Sequence, residues 1–281
     1  MSPAALALPD ADETRELMEL AAAMAVEVGV LVRTTRGAGV DVAGLKSTST
    51  DVVTEADLAA ELRLRELIAE HRPDDAVLGE EGGSAGGTSG LTWVLDPIDG
   101  TVNYLYGLPV YAVSVAVVAG VPEPGRWTQL AGAVVNAADG RLWTAGRGLG
   151  AWRAGARLRV NATAPLAQSL VGTGFGYAAE LRRHQGAVLA GLLDKVRDVR
   201  RAGSCALDLC SVASGQLDAY FERGTHVWDH AAGSLVIRES GGVVTGLRGA
   251  PEGHTMTVAG PAETVAELVA HLEAAGADAP L

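Results

Sequence analysis

Aromatic side chains make up only 4% of the 281 residues, and there are just two cysteines, Cys205 and Cys210. The shortage of rings leaves Ala, Val and Leu to fill a core drawn from 48% apolar residues. The cysteine spacing fits neither a redox pair nor a zinc site. Both thiols therefore read as small buried hydrophobes of a reduced, cytoplasmic protein. Basic residues are scarce too: 22 Lys and Arg stand against 34 Asp and Glu, a net charge of −12. That balance argues against a sequence-independent nucleic-acid binder, which needs basic surface against phosphates. It is compatible with an enzyme that recruits divalent cations. No apolar run approaches the ~20 residues that span a bilayer, so no membrane partner is expected. The opening MSPAALALPDADE lacks the basic start and long apolar segment of a signal peptide, and residues 1–12 are expected to form a disordered tail.

What is present falls into three stretches. Residues 13–37 carry apolar positions at helical spacing, closed by Gly37. AGVDVAGLKSTST then reads as a mobile loop, and residues 54–75 as a second helix with Thr54 as N-cap and Pro73 at its end. AVLGEEGG reads as a short strand and turn, and GGSAGGTSG as a flexible linker. A strand-rich middle follows, with LTWVLD, YAVSVAVVAG, LAGAVVNAAD and RLWTAGRGLGAWRAG separated by Gly and Asp turns. The last third mixes strands with helices over LRRHQGAVLAGLLDKV, the CALDLCSVAS region, WDHAAGSLVIRESGG and AETVAELVAHLEAAG. This order predicts a layered α/β sandwich.

Chemistry concentrates in WVLDPIDGTVNY. An apolar strand ends in Asp96 and Asp99, split by Pro97 and followed by Gly100 and Thr101. Two carboxylates there cost desolvation unless a cation meets them. With the Ile98 carbonyl they form a set of hard oxygen ligands suited to Mg²⁺; a polar turn with an Asp cap is the equal alternative. The pair Glu80 and Glu81 reads as a solvated turn unless it faces those aspartates. Asp51, Glu55 and Asp57 read as acids at a helix start. Asp229 reads as a helix cap, and His230 as a packing or surface histidine. GTGFGYAAE looks like a dinucleotide loop, but Tyr177 stands where a third glycine belongs, and a partial match of this kind is weak.

Four segments, DVVTEAD, GEE, WVLDPIDGTVN and VWDHAAG, occur in the order and spacing of the inositol monophosphatase family. The resemblance runs from about residue 13 to 275, and RDVRRAGSCALDLCSVASGQLDAYFE is most like its bacterial SuhB-type members. It implies a single domain with an α-β-α-β-α sandwich, an N-terminal lobe over about 13–160 and a C-terminal lobe over about 161–275. It implies two or three Mg²⁺ per active site, the first held by Glu80, Asp96 and the Ile98 carbonyl, the second by Asp96, Asp99 and Asp229. Asp57 and Thr101 resemble the pair that, with Glu80, orients the attacking water. Lys46 resembles the family's loop lysine, and Asp51 a residue that shapes the same loop. Gly100, Thr101, Gly203, Ser204, Cys205, Asp208, Glu222 and Asp229 match substrate-contact positions. Two departures stand out: Val102 replaces a threonine, and Cys205 an alanine.

The resemblance further implies hydrolysis of myo-inositol 1-phosphate, lithium sensitivity and a homodimer. Histidinol phosphate, fructose 1,6-bisphosphate and adenosine 3′,5′-bisphosphate are the alternative substrates within the family; Arg200, Arg201 and Arg223 could meet a second phosphate. A different class of function also follows from SuhB-type proteins, that of a non-catalytic partner of the transcription machinery. The basic run KVRDVRR is the one local candidate for it, and reads first as solvated charge.

Overall fold

A computed structural model describes residues 8–40, 42–46 and 52–280. Helix α1 (Ala11–Ala38) begins two residues before the expected start, because Asp10 caps it by accepting from the Asp12 and Glu13 amides at 3.0 and 2.9 Å. The expected loop after it is in part a hairpin: β1 (Val42–Leu45) pairs antiparallel with β2 (Val52–Thr54). Its β-branched valines outweigh the glycines that suggested a loop. Helix α2 (Glu55–His71) starts at Thr54 with a capping box to Asp57.

Next come β3 (Ala76–Gly79), β4 (Gly83–Ala85) and β5 (Leu91–Asp99). β4 lies inside the expected glycine linker and adds an exposed edge to β3. After the short α3 (Thr101–Tyr106) the chain forms a meander of β6 (Ala112–Gly120), β7 (Trp127–Asn136), β8 (Leu142–Gly146), β9 (Gly150–Arg153) and β10 (Ala156–Arg157). These strands make one sheet of order β10-β9-β8-β7-β6-β5-β3-β4.

The remaining elements are β11 (Leu170–Thr173), α4 (Ala179–Leu192), β12 (Asp198–Arg200), α5 (Cys205–Ala213), β13 (Ala219–Glu222), α6 (Val227–Glu239), β14 (Val243–Thr245), β15 (Thr257–Gly260) and α7 (Ala262–Ala274). Their sheet runs β12-β11-β13-β15-β14.

Three apolar clusters give the layers. Leu17, Met24 and Val28 of α1 and Leu64 and Ile68 of α2 pack on Trp93, Val113 and Val115 of the first sheet. Alternate residues of the same strands, Val94, Ala116 and Val134, face the other way, onto Leu209 and Val212 of α5 and Leu235 and Val236 of α6. Tyr220 and Ala259 of the second sheet complete that middle cluster. The far face of the second sheet, through Val171, Phe221 and Val258, packs on Val188 of α4 and Leu268 of α7. The result is helix, sheet, helix, sheet, helix. Strands covered on both faces read as near-continuous apolar runs, which is why they were legible without alternation.

Among the described residues, no helix is long and apolar enough to cross a membrane. Both cysteines are buried without a disulfide, and burial pushes both thiols up.

Candidate active site

An interior strand of the first sheet, β5, carries the key acids. β5 pairs in register with β6 from Leu91 through Asp96, and the register then slips before Asp99. Pro97 cannot donate to a ladder, so it falls where the pairing breaks. The bulge lets Asp96, the Ile98 carbonyl and Asp99 turn toward one cavity of about 580 Å³. Gly100 then adopts φ +96°, a left-handed conformation open to glycine, and passes the chain into α3.

Other elements bring their acids to the same cavity. Glu80 sits in the turn after β3. That turn is held by Glu61, whose carboxylate accepts from the Glu81 and Gly82 amides, each at 2.7 Å. Glu61 was not read from the sequence; its signal was an acid among apolar neighbours inside α2. Asp229 lies in the first turn of α6 and accepts from the His226 amide at 2.7 Å. The cap expected of Asp229 is present, and the same side chain also lines the cavity.

The electrostatics follow from this crowding. Asp96 is 1% exposed, and its Oδ1 has no hydrogen-bond partner. Burial, then the charges of Glu80, Asp99 and Asp229, push its carboxyl well above the usual range. Asp229 is raised likewise, by burial and then by Asp99 and Glu80. Burial raises Glu80 to about 7 although Lys46 opposes it. Asp99 is raised by burial only to about 6, because Ser204 and the backbone amides of Ala206 and Cys205 hydrogen-bond its charged form. Lys46 lies 2.7 Å from Glu80 Oε1 and 2.5 Å from Glu81 Oε1. Burial would lower its pKa, but the two carboxylates outweigh that and raise it.

Several expected residues share the cavity wall: Lys46, Thr101, Gly203, Cys205 and Glu222 join the acids, Ile98 and Gly100. Glu222 accepts from the Tyr220 hydroxyl at 2.5 Å, and burial raises its carboxyl to about 7. It approaches Gly174 so closely that a Cβ there would lie 1.9 Å from its Oε2. This gives the glycine of GTGFGY a steric reason unrelated to a dinucleotide.

Three expected residues lie behind the wall. Asp57 is fully buried and bonded to the Thr54 amide and hydroxyl; the Thr101 hydroxyl sits 3.2 Å from its Oδ1 and 3.0 Å from the Ile98 carbonyl. Ser204 reaches the site through Asp99. Asp208, expected at a substrate-contact position, is 3% exposed and is not among the residues that line the cavity. Asp51 lies outside the described residues. Phe175, Tyr177, His226, Trp228 and His254 line the cavity without having been singled out as contacts, and so does Arg201, which was weighed only for a second phosphate. His226 stacks on Trp228 with centroids 4.9 Å apart.

Among the described residues, no three of these acids close around a point as a ready-made metal cage. They line an open cavity instead. Such a set suits Mg²⁺, which keeps several waters and accepts substrate phosphate rather than demanding an all-protein shell. The orphaned Asp96 Oδ1 and the mutually raised carboxyls are what a cation would relieve.

The sequence model of the inositol monophosphatase family matches residues 13–276, and the chain belongs to that family. It is 44% identical to the inositol-1-monophosphatase of Mycobacterium leprae, with 98% of this chain and 99% of that protein covered. It is 42% identical to the Nus factor SuhB of Pasteurella multocida, over 77% of this chain and 78% of that one. The structure of Mycobacterium tuberculosis SuhB superposes with a TM-score of 0.78 at 39% identity, covering 94% of this chain and 98% of the other. Family membership and the relative named inositol-1-monophosphatase support a phosphatase.

Proposed function

We propose that the protein is a Mg²⁺-dependent phosphomonoesterase that hydrolyses myo-inositol 1-phosphate to inositol and phosphate. The observation that carries this reading is the buried Asp96, unpartnered at Oδ1 and facing Glu80, Asp99 and Asp229 across one cavity. In this reading Glu80, Asp96 and the Ile98 carbonyl hold one Mg²⁺, and Asp96, Asp99 and Asp229 a second. Bound there, Mg²⁺ lowers the pKa of a coordinated water and offsets charge on the phosphoryl oxygens.

The chain's own groups do the positioning. Glu80 and Thr101 share the cavity wall and orient the attacking water. Asp57, behind Thr101, fixes the threonine hydroxyl. Gly100 and Thr101 offer backbone amides to the phosphate. Gly203, Cys205 and Glu222 form the wall that meets the alcohol, with the Glu222 carboxylate accepting from ring hydroxyls. Neither thiol is required as a nucleophile.

A second reading rests on relatives named Nus factor SuhB, such as that of Pasteurella multocida. By analogy the chain would bind the transcription machinery. The basic run is a weak surface for this, because Lys195 pairs with Asp194, Arg200 with Asp198, and Arg197 donates to the Gln168 carbonyl.

The test is phosphate release with Mg²⁺ from inositol 1-phosphate, histidinol phosphate, fructose 1,6-bisphosphate and adenosine 3′,5′-bisphosphate, compared by kcat/KM. Preference for inositol 1-phosphate supports the reading. Preference for histidinol phosphate keeps the metal chemistry and replaces the assignment of Glu222. No turnover of any ester by Mg²⁺-loaded protein shifts the weight to the binding role.

A further inference from the structure

The GTGFGY loop has no part in the proposed reaction, yet Gly174, Phe175, Gly176 and Tyr177 all line the acid-lined cavity, as Glu222 and Gly224 do. Both segments leave the same end of the second sheet. β11 and β13 run parallel, and their register ends with Thr173 opposite Phe221. Beyond that pair the ladder no longer spaces the two segments, and their backbone groups must find other partners. The Glu222 carboxylate comes from one segment, and Gly174, which it packs against, from the other. The place of that carboxylate therefore depends on what ties the segments together.

Gln185 does so. Helix α4 carries Leu181, Gln185, Val188 and Leu192 at the spacing of one face, the stripe by which a helix packs on a core. Gln185 is the polar break in that stripe and is 8% exposed. Its Oε1 accepts from the Gly176 amide and its Nε2 donates to the Arg223 carbonyl, each at 3.0 Å. A primary amide has one acceptor end and one donor end. This side chain therefore satisfies an N–H of one segment and a C=O of the other, and turning it over would break both bonds. Leu181, one turn earlier, packs against both segments: a Cβ on Gly176 or Gly224 would lie 2.4 or 3.3 Å from its Cδ2. The Gly224 amide donates to the His254 carbonyl at 2.8 Å, a bond that does not involve Gln185. Gln185 itself is not among the residues that line the cavity.

We infer that Gln185 is a positioning residue for substrate selection: by joining Gly176 to Arg223, it fixes the Glu222 carboxylate in the wall that meets the alcohol of the phosphomonoester. The inference rests on the phosphatase reading and assigns the preference for a polyol in part to a side chain outside the cavity. Without the clamp the two segments drift apart, and a polyol meets a misplaced Glu222, whose hydrogen bonds weaken steeply away from their proper geometry. An ester whose alcohol has no hydroxyl loses little by the same change.

The test compares the wild type with Gln185→Leu, which is close in size, keeps a good helix former in α4 and removes both bonds. Two esters are hydrolysed with Mg²⁺: inositol 1-phosphate, and p-nitrophenyl phosphate, whose alcohol carries no further hydroxyl for Glu222 to meet. The ratio of their kcat/KM, inositol ester over nitrophenyl ester, should fall about tenfold in Gln185→Leu, the scale of one hydrogen bond to a carboxylate. Mg²⁺ affinity by calorimetry should stay at the wild-type value. Gln185→Glu keeps an acceptor for the Gly176 amide and should recover part of the ratio. Amide hydrogen exchange should speed up in Gln185→Leu at Gly176 and also at Gly224, whose own bond the substitution does not touch. An unchanged ratio, equal losses on both esters, or weakened Mg²⁺ binding overturns the positioning role and leaves the phosphatase reading standing. Faster exchange at Gly176 alone also overturns it, because the two segments are then not coupled through Gln185. Failure of the wild type on both esters removes the phosphatase reading and this inference with it.

Discussion

The Ser204 hydroxyl donates to Asp99 Oδ2 at 2.6 Å, and the Ala206 amide reaches the same oxygen at 2.6 Å. Asp99 ends β5, an interior strand of the first sheet; Ser204 opens α5 in the middle layer. The same hydroxyl accepts from the Leu207 amide at 3.3 Å, so one side chain caps a helix and aims a carboxylate. Ser204→Ala should lose about 1 kcal/mol of stability with the cap. It should also raise the Asp99 pKa further and weaken Mg²⁺ binding, while Ser204→Thr keeps both interactions. Urea denaturation and calorimetric Mg²⁺ titration check this. An alanine variant with unchanged Mg²⁺ affinity would show that Ser204 does not orient Asp99.

The protein without cation should lose stability as pH rises. Glu80 and Asp99 have folded pKa values of about 7 and about 6, and Asp96 and Asp229 are higher than usual. A carboxyl raised on folding contributes stability fully below its unfolded pKa of about 4, and loses it as pH climbs through the folded value. The Tm in EDTA should therefore fall between about pH 4.5 and pH 7.5. Added Mg²⁺ should raise Tm more at pH 8 than at pH 5, because binding to the native state stabilises it and ionised carboxylates bind best. A rise in Tm with pH across that window in EDTA contradicts the electrostatic account.

These acids show what could be read without coordinates and what could not. Asp96 and Asp99 were legible because they sit where an apolar run meets a turn, whereas Glu80 and Asp229 read by themselves as a solvated turn and a helix cap and were marked as ligands only by the family resemblance. Their convergence was not legible, since it depends on the register slip at Pro97 and on the stacking of α6 against the first sheet. The longer strands of the first sheet and the inner strands of the second were visible as apolar runs. β1 and β4 were missed because glycine outweighed their valine and serine in the reading, and pairing with a neighbouring strand decides such short segments. Asp208 illustrates the limit on helices: its place near the start of α5 was clear, but the side of the helix facing the cavity was not. The positioning role of Glu61 depends on amides 20 and 21 residues further along the chain.

Buried His230 supplies an independent test outside the catalytic chemistry. It is fully buried, packs edge-on against Trp127 with centroids 6.1 Å apart, and neither ring nitrogen has a hydrogen-bond partner. Burial lowers its pKa to about 3. A histidine depressed on folding contributes stability above its unfolded pKa near 6.5 and loses it as pH falls toward the folded value. His230→Leu should be neutral or stabilising at pH 7, by removing unpaired polar atoms, and should flatten the loss of stability between about pH 6.5 and pH 4. Urea midpoints across that range decide it; a variant with an unchanged acid slope would show that His230 does not titrate as described.

The central claim is that the acids around Asp96 hold the cations for phosphoester hydrolysis. The most direct measurement is Mg²⁺-dependent phosphate release from inositol 1-phosphate by wild-type protein and by Asp96→Asn, with the fold of each checked by circular dichroism. The account predicts robust release by the wild type, a loss of at least about a thousandfold in the folded variant, and weaker Mg²⁺ binding by calorimetry. Near-wild-type, Mg²⁺-dependent turnover by folded Asp96→Asn would contradict it.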